Sequence, residues 1–249
     1  MVMKSVSAAV FAFLLASLVS FQVSADSSGS VPAGEPIVTI YHIEGRRSER
    51  IVWYCEEAGI PYDLKFKSGD LRASMQMAKE VNPLMPIFPT VVYGDEVLVE
   101  SAAILQLLDE RHGSGKLTPA HDSGDYPKYL QWLHFAEGSA APRFITEFLL
   151  QRAITGETPP VVQSQLGKSD QVLVYLEDHL SRFPYFGGAE FSIADIMMHF
   201  NINFVSMVAK HDMTPYPKVM DWMKRVEGRP AFLKMREVSL PNGFIGVPG

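Results

Sequence analysis

Over residues 36–61 the pattern of apolar and polar positions predicts a strand followed by a helix. Residues 36–41, PIVTIY, form an apolar, β-branched run of the kind found in buried strands. Residues 46–61 carry apolar side chains at i, i+4 and i+7, which predicts an amphipathic helix that ends at Gly59. The apolar face of this helix comprises Ile51, Cys55 and Ala58.

The next fifty residues predict a further strand, a hairpin and two helices. Residues 62–67 alternate between apolar and polar side chains, as in a strand with one face in solvent. A more polar helix is predicted over residues 70–81, and residues 90–99 contain a Gly-Asp turn between two apolar runs, which predicts a β-hairpin. Residues 101–111 predict another helix. The order β-α-β-α-β-β-α indicates an α/β domain with a small mixed sheet.

The rest of the chain has a helical period throughout. Residues 112–124 are rich in Gly, Ser and Pro and predict a linker between two domains. Residues 125–240 then predict an all-helical domain, followed by a tail over residues 241–249. Within that domain, residues 196–207 are apolar on more than one side, which predicts a central helix. The preceding SIAD, residues 192–195, is typical of a capping box.

The N-terminus has the layout of a secretory signal peptide over residues 1–25. Lys4 precedes an apolar run over residues 6–23, and small residues up to Ala25 provide a cleavage site. We therefore expect export, to the periplasm in a bacterium, with residues 26–36 as a flexible lead-in. The alternative is an uncleaved membrane anchor, because the run approaches the ~20 residues that span a bilayer.

Composition excludes several classes of function. The formal net charge is −6 and no block rich in Lys or Arg occurs, so we expect no nucleic-acid partner. The single cysteine, Cys55, excludes an intrachain disulfide, a CxxC redox pair and a thiolate zinc cluster. Its place on the apolar helix face predicts a buried, inert thiol. No HExxH-type motif occurs, so no metal cofactor is expected.

Two parts of the chain resemble the glutathione transferase family. Residues 82–108, NPLMPIFPTVVYGDEVLVESAAILQLL, resemble its strand–hairpin–helix element. FSIAD at residues 191–195 and YPKVMDWMKRVEGRPAF at residues 216–232 resemble its C-terminal helical core. The resemblance implies a thioredoxin-like, glutathione-binding domain over residues 37–111 and glutathione as co-substrate. It also implies a homodimer in which the sheet domain of one subunit faces the helical domain of the other.

The resemblance also implies where glutathione binds. It implies a cis bond before Pro89, with the main chain of Phe88 binding the middle of the tripeptide as an added strand would. It assigns the zwitterionic γ-glutamyl end to Glu100 and Ser101, because a helix N-terminus attracts a carboxylate and an acid attracts an amino group. The residues alone leave two alternatives: a trans, edge-strand Pro89 and a plain helix cap at Ser101.

Activating the glutathione thiol requires a hydrogen-bond donor. A free thiol has a pKa of about 8.5, and lowering it by about two units needs ~2.7 kcal/mol. One charge-assisted hydrogen bond supplies ~1.5–3 kcal/mol. The resemblance to tyrosine-type transferases places Tyr41 at the catalytic position. Ser48 is the alternative donor, since many bacterial relatives carry a serine in this loop, and a third possibility is that neither residue serves.

Two arginines at the start of the first helix indicate an anion nearby. Cations there oppose the helix dipole, so Arg46 and Arg47 favour either a bound thiolate or a bound carboxylate. The alternative is pairing with Glu44 and Glu49 on a solvated surface.

Two functions fit these observations, and a third is disfavoured. The first is conjugation of the glutathione thiolate to small apolar electrophiles, held in a pocket formed by Phe135, Phe144 and Phe148 unless these side chains belong to the core. The second is a non-catalytic protein that binds glutathione or a hydrophobic ligand on the same scaffold. A thiol–disulfide reductase is disfavoured, because the first helix begins with arginine where such an enzyme needs a cysteine.

Overall fold

The computed structural model describes residues 34–243 of the 249-residue chain. The predicted signal peptide, most of the predicted lead-in and the last part of the predicted tail lie outside the described residues. Among the helices within residues 34–243, none is both long and apolar enough to cross a bilayer.

The sheet has the mixed topology that the sequence predicts. Its strands are β1 (Val38–Tyr41), β2 (Tyr62–Lys65), β3 (Thr90–Tyr93) and β4 (Glu96–Leu98), in the spatial order β2-β1-β3-β4. β1 runs parallel to β2 and antiparallel to β3, and β3 and β4 form the hairpin. The predicted α/β class and the βαβαββα order are both confirmed.

Three helices pack against this sheet: α1 (Glu49–Ala58), α2 (Leu71–Val81) and α3 (Ser101–Arg111). α1 ends at Gly59, whose φ of +68° lies in the left-handed region that glycine adopts without strain. Cys55 is fully buried on α1, as its spacing predicted.

The second part of the chain is entirely helical. Its helices are α4 (Tyr126–Phe135), α5 (Ala141–Ala153), α6 (Pro160–Gln163), α7 (Lys168–Arg182), α8 (Ile193–Asn203), α9 (Pro217–Glu227) and α10 (Pro230–Ser239). Two π-helical segments, Ala136–Ala140 and Phe204–Val208, follow α4 and α8. Such wider turns often occur at functional sites. The sequence pattern did not predict them.

α8 is the central helix, as predicted. It begins with the capping box of Ser192 and Asp195, and the Asp195 side chain is fully buried. The Asp195 carboxylate accepts hydrogen bonds from the N–H of Phe186 at 2.9 Å and from Trp222 Nε1 at 2.8 Å. Burial raises the pKa of Asp195 to about 6. One buried acid therefore joins α8, α9 and the loop before α8.

The last helix joins the two parts of the protein. α10 packs along α1, where Phe232 meets Trp53 edge to face at a ring distance of 4.9 Å. Arg229 forms two hydrogen bonds with the Glu57 carboxylate, at 2.6 and 2.8 Å. The sheet and the helical layer therefore share one continuous core.

Replacing Asp195 by Asn tests the importance of this buried acceptor. We expect Asp195→Asn to lower the free energy of unfolding by about 2–4 kcal/mol, because a buried charge-assisted network loses acceptors. Urea unfolding monitored by circular dichroism measures the change. Asp178→Asn is the matched control, since within residues 34–243 the exposed Asp178 carboxylate pairs only with Arg182, and the substitution should change stability by less than about 0.5 kcal/mol. Equal effects of the two substitutions would contradict the assignment.

Candidate functional site

The sheet brings Tyr41 beside the cis proline. Tyr41 is the last residue of β1, is half-buried, and pairs with Thr90 of β3. Pro89 directly precedes Thr90, and the Phe88–Pro89 bond is cis. Within residues 34–243 the Tyr41 hydroxyl has no hydrogen-bond partner, so its donor is available to a ligand.

The main chain of Phe88 is also available. Pro89 is buried and Phe88 is half-buried. Within the described part of the chain, neither the N–H nor the C=O of Phe88 forms a hydrogen bond with the protein. These two groups can therefore pair with an extended peptide in the way that an edge strand does.

The N-terminus of α3 differs by one residue from the prediction. Glu100, not Ser101, is the N-cap residue, and Ser101 is the first residue of the helix. Glu100 has φ 75° and ψ 103°, a region that residues other than glycine rarely occupy. Its side chain is exposed and, within residues 34–243, forms no hydrogen bond or ion pair. Such backbone strain is often found at ligand sites.

Ser101 is nearly buried, at 4% exposure, and its Oγ accepts a hydrogen bond from Arg50 Nη1 at 3.3 Å. No other hydrogen bond of this hydroxyl occurs within residues 34–243. In the first turn of α3, within the described residues, only the N–H of Ile104 donates to an intrahelical carbonyl, that of Glu100. The earlier main-chain N–H groups of this turn have no intrahelical acceptor. The end of α3 thus offers several donors to an anion.

Arg50 is a site residue that sequence reasoning missed. It lies in the first turn of α1 and is only 2% exposed. Its guanidinium donates to Glu137 Oε1 at 2.5 Å and to the carbonyl of Met197 at 2.6 Å. Burial lowers the pKa of Arg50 to about 10, which leaves the group charged at neutral pH.

Arg47 shares the same carboxylate. Its Nε donates to Glu137 Oε1 at 3.0 Å. Burial alone would raise the pKa of Glu137, but the positive charges of Arg50 and Arg47 outweigh it, and the pKa lies below its ordinary value. Two cations therefore face one anion, and the cluster carries a net positive charge.

The alternative, pairing of the two arginines with Glu44 and Glu49, does not occur as ion pairs within residues 34–243, although the charge of Arg46 partly offsets the burial that raises the pKa of Glu49 to about 7. Glu44 accepts hydrogen bonds from Ser68 and Gly69, and Glu49 accepts one from the N–H of Gly45 at 2.7 Å. Within residues 34–243, Arg46 forms no ion pair, and its Nη1 donates to the Gly45 carbonyl. One arginine of the loop is thus available to an anion.

Ser48 lies in the interior of the fold, where no ligand reaches it. It is fully buried, and its Oγ lies 2.8 Å from His42 Nδ1. His42 Nε2 must donate to the Ser239 carbonyl, 2.8 Å away, so Nδ1 of the neutral ring accepts and Ser48 donates. Burial lowers the pKa of His42 to about 4, which keeps the ring neutral. Since the Ser48 proton is committed to His42, the prediction that Ser48 activates the thiol is wrong.

An apolar cavity of about 230 Å³ opens beside the loop between β1 and α1. Arg46 and Arg47 form one side of it, and residues of α5, α8 and the second π-helical segment form the other. The main apolar lining residues are Ile145, Phe148, Leu149, Phe200, Phe204 and Val208. The cavity therefore joins an apolar wall to a cationic rim.

One of the three phenylalanines predicted to form an acceptor pocket lines this cavity. Phe148 lines the cavity and meets Phe204 edge to face at 5.3 Å. Phe144 is a core residue, at 1% exposure, and Phe135 packs against Trp132 instead. Phe200 and Phe204 were predicted as part of a central helix, and only their half-buried positions distinguish them from the core.

Cysteine chemistry has no basis at this site. Cys55 is fully buried, and burial raises the pKa of its thiol. Within residues 34–243, no group of three or more His, Cys, Asp or Glu side chains is placed to hold a metal ion.

The His42–Ser48 contact predicts a pH-dependent stability. The His42 pKa is about 4 in the folded state and about 6.5 in the unfolded chain, so its stabilising contribution is complete above pH 6.5 and lost as the pH falls towards 4. We expect His42→Gln to reduce the loss of stability between pH 7 and pH 5 in urea unfolding. His121→Gln, at an exposed histidine, is the control and should follow the wild-type slope. Parallel pH profiles for His42→Gln and the wild type would contradict the assignment.

Comparisons with known proteins agree with this geometry. A family model described as the N-terminal domain of glutathione S-transferase matches residues 46–111, and one described as the C-terminal domain matches residues 159–225. Glutathione S-transferase 3 of Schizosaccharomyces pombe is 31% identical over 209 residues, which cover 78% of this chain and 85% of that protein. The disulfide-bond oxidoreductase YfcG of Escherichia coli is 26% identical, over 78% of this chain and 92% of that protein.

A solved structure supports the same conclusion. The glutathione S-transferase of Actinobacillus pleuropneumoniae superposes with a TM-score of 0.72 at 25% identity, covering 83% of this chain and 94% of that chain. The fold, a thioredoxin-like sheet domain followed by a helical domain, is therefore the one that the resemblance implied. This protein belongs to the glutathione transferase family.

Proposed function

We propose that this protein transfers the thiolate of glutathione to small apolar electrophiles. The observation that carries the proposal is the cavity beside the loop between β1 and α1. Its apolar wall contains Phe200 and its opposite rim contains Arg46 and Arg47. An anionic nucleophile at the rim then meets an apolar acceptor at the wall.

Glutathione binds beside the start of β3 in this proposal. The Phe88 main chain pairs with the cysteinyl residue, because both of its polar groups are available within residues 34–243. The γ-glutamyl carboxylate binds the N–H groups of α3 and the Ser101 hydroxyl, and the γ-glutamyl amino group binds Glu100. The Glu100 side chain, which is exposed and has no partner among residues 34–243, supports this orientation of the peptide.

Tyr41 donates the hydrogen bond that activates the thiol. Its hydroxyl is available, whereas the Ser48 hydroxyl is committed to His42. One such bond supplies ~1.5–3 kcal/mol, which is of the order needed to lower a thiol pKa by about two units. Arg46 at the cavity rim adds a cation.

The cavity sets the class of acceptor. At about 230 Å³ and with phenylalanine side chains on its wall, it suits a small aromatic electrophile. The alternative on the same scaffold is a non-catalytic binding protein, and turnover distinguishes the two.

A conjugation assay with Tyr41→Phe tests the proposal. The wild-type chain should bind glutathione-agarose and conjugate a chloronitrobenzene, with an apparent pKa for kcat/KM near 6.5 (about two units below the free thiol). Tyr41→Phe should raise that apparent pKa by about two units and slow turnover at pH 6.5 by roughly tenfold or more. Tyr126→Phe, in the helical domain, is the matched control and should leave the profile unchanged. Binding without turnover would support the non-catalytic alternative, and an unchanged profile for Tyr41→Phe would exclude Tyr41 as the donor.

We also propose that the protein is a homodimer. Exposed apolar side chains concentrate on α2 and the loop that follows it, where Leu84 is 94%, Met85 54% and Ile87 40% exposed. Leu71 and Met75 of α2 are exposed as well. Such a concentration on one segment is typical of an interface between proteins.

Light scattering on the Leu84→Asp variant tests the dimer. The wild type should have twice the mass of one chain at micromolar concentration, and a buried charge at residue 84 should shift it to single chains. Leu233→Asp is the matched control, since Leu233 is 59% exposed on α10, and it should remain dimeric. A monomeric wild type, or a dimeric Leu84→Asp, would overturn this part of the proposal.

A further inference from the structure

One buried guanidinium contacts both halves of the proposed site. Arg50 donates to Ser101 Oγ in the sheet domain and to Glu137 and the Met197 carbonyl in the helical domain. Its Nε is buried and, within residues 34–243, has no hydrogen-bond partner. A buried donor left unpaired costs stability, so the guanidinium is held here by its other contacts.

The contact with Ser101 controls a hydroxyl of the binding site. Because the Ser101 oxygen accepts from a cation, its own proton must point elsewhere, and its O–H bond becomes a stronger donor. Within the described residues this proton has no acceptor. Arg50 therefore both directs and strengthens the Ser101 hydroxyl as a donor to an anionic ligand.

The same guanidinium lies against the wall of the cavity. Its central carbon is 5.1 Å from the centre of the Phe200 ring, and that of Arg47 is 5.0 Å from the same ring. Glu137 connects these two arginines. The Phe200 ring thus contacts the same guanidinium that donates to Ser101.

We propose that Arg50 is a positioning residue that couples glutathione binding to binding of the apolar acceptor. This inference rests on the proposed function. A carboxylate that accepts the Ser101 proton strengthens the hydrogen bond that Ser101 accepts from Arg50, and the Arg50 guanidinium lies against Phe200. The second ligand then binds to a site already ordered by the first, which gives positive coupling. By thermodynamic linkage, each ligand raises the affinity of the other by the same factor.

Equilibrium binding of two unreactive probes tests the coupling. Calorimetry measures the binding of S-methylglutathione, which has no free thiol and cannot react. Fluorescence measures the binding of the neutral fluorophore N-phenyl-1-naphthylamine, and its displacement by a chloronitrobenzene shows that it occupies the cavity. In the wild type, saturating S-methylglutathione should tighten binding of the fluorophore by roughly 5- to 10-fold. We define the coupling ratio as the Kd of the fluorophore without S-methylglutathione divided by its Kd at saturating S-methylglutathione. In Arg50→Lys this ratio should fall to within about twofold of one, since lysine keeps the charge but cannot make three directed contacts.

Arg229→Lys is the matched control. It alters another arginine–glutamate pair, which joins Arg229 at the start of α10 to Glu57 on α1. Neither residue of this pair contacts Ser101 or lines the cavity within the described part of the chain. Its ratio should equal that of the wild type. A second variant, Glu137→Gln, keeps an acceptor on a half-exposed side chain, and its ratio should also fall, which provides a test if Arg50→Lys does not fold.

The outcomes separate the inference from the proposed function. If S-methylglutathione does not bind the wild type, the proposed function fails and the inference fails with it. If S-methylglutathione binds but the wild-type ratio is one, or if Arg50→Lys and Glu137→Gln keep the wild-type ratio, only the inference is overturned. An equal fall of the ratio in Arg229→Lys would show a general loss of packing and would also overturn it.

Discussion

The pairing of one buried guanidinium across two domains is the constraint on which the site depends. Arg50 projects from α1, and the strongest of its partners, Glu137 and the Met197 carbonyl, belong to the helical domain. A buried charge without partners destabilises a fold by several kcal/mol, about 3–5 when one partner of a pair is removed. The Arg50 guanidinium of the sheet domain therefore finds its strongest hydrogen-bond partners only when the helical domain is packed in this position.

The same guanidinium connects the N-terminus of α3 with the cavity beside the loop between β1 and α1. Glu137 lies in the π-helical segment after α4, and Phe204 lies in the one after α8. The wider turns place these side chains beside the loop between β1 and α1, where Arg46 and Arg47 form the rim. An apolar wall and a cationic rim thus meet at this cavity, and Arg50 connects its Phe200 wall to Ser101 at the N-terminus of α3. The proposed conjugation needs such an arrangement, because a polar nucleophile and an apolar acceptor must be held at one place.

Local pattern predicted the fold well and the site only in part. The strands, α3 and the central α8 follow from apolar spacing and turn residues, and the family resemblance supplied the cis bond before Pro89. Arg50 was missed because a charged residue in a helix normally faces solvent, and its partner Glu137 is 87 positions away. The Ser48 prediction failed because His42 accepts the Ser48 proton, and His42 is held in that tautomer by the Ser239 carbonyl, 197 positions away. Contacts distant in sequence leave no periodic signal.

The most direct test of the central claim is a crystal structure of the complex with S-hexylglutathione. We expect the γ-glutamyl carboxylate within hydrogen-bond distance of the Ser101 N–H and Oγ, with Arg50 still bound to Ser101. We expect the hexyl chain against Phe200, in the cavity between the arginine rim and the phenylalanine wall. A tripeptide bound away from the N-terminus of α3, or a hexyl chain outside that cavity, would contradict the proposed site.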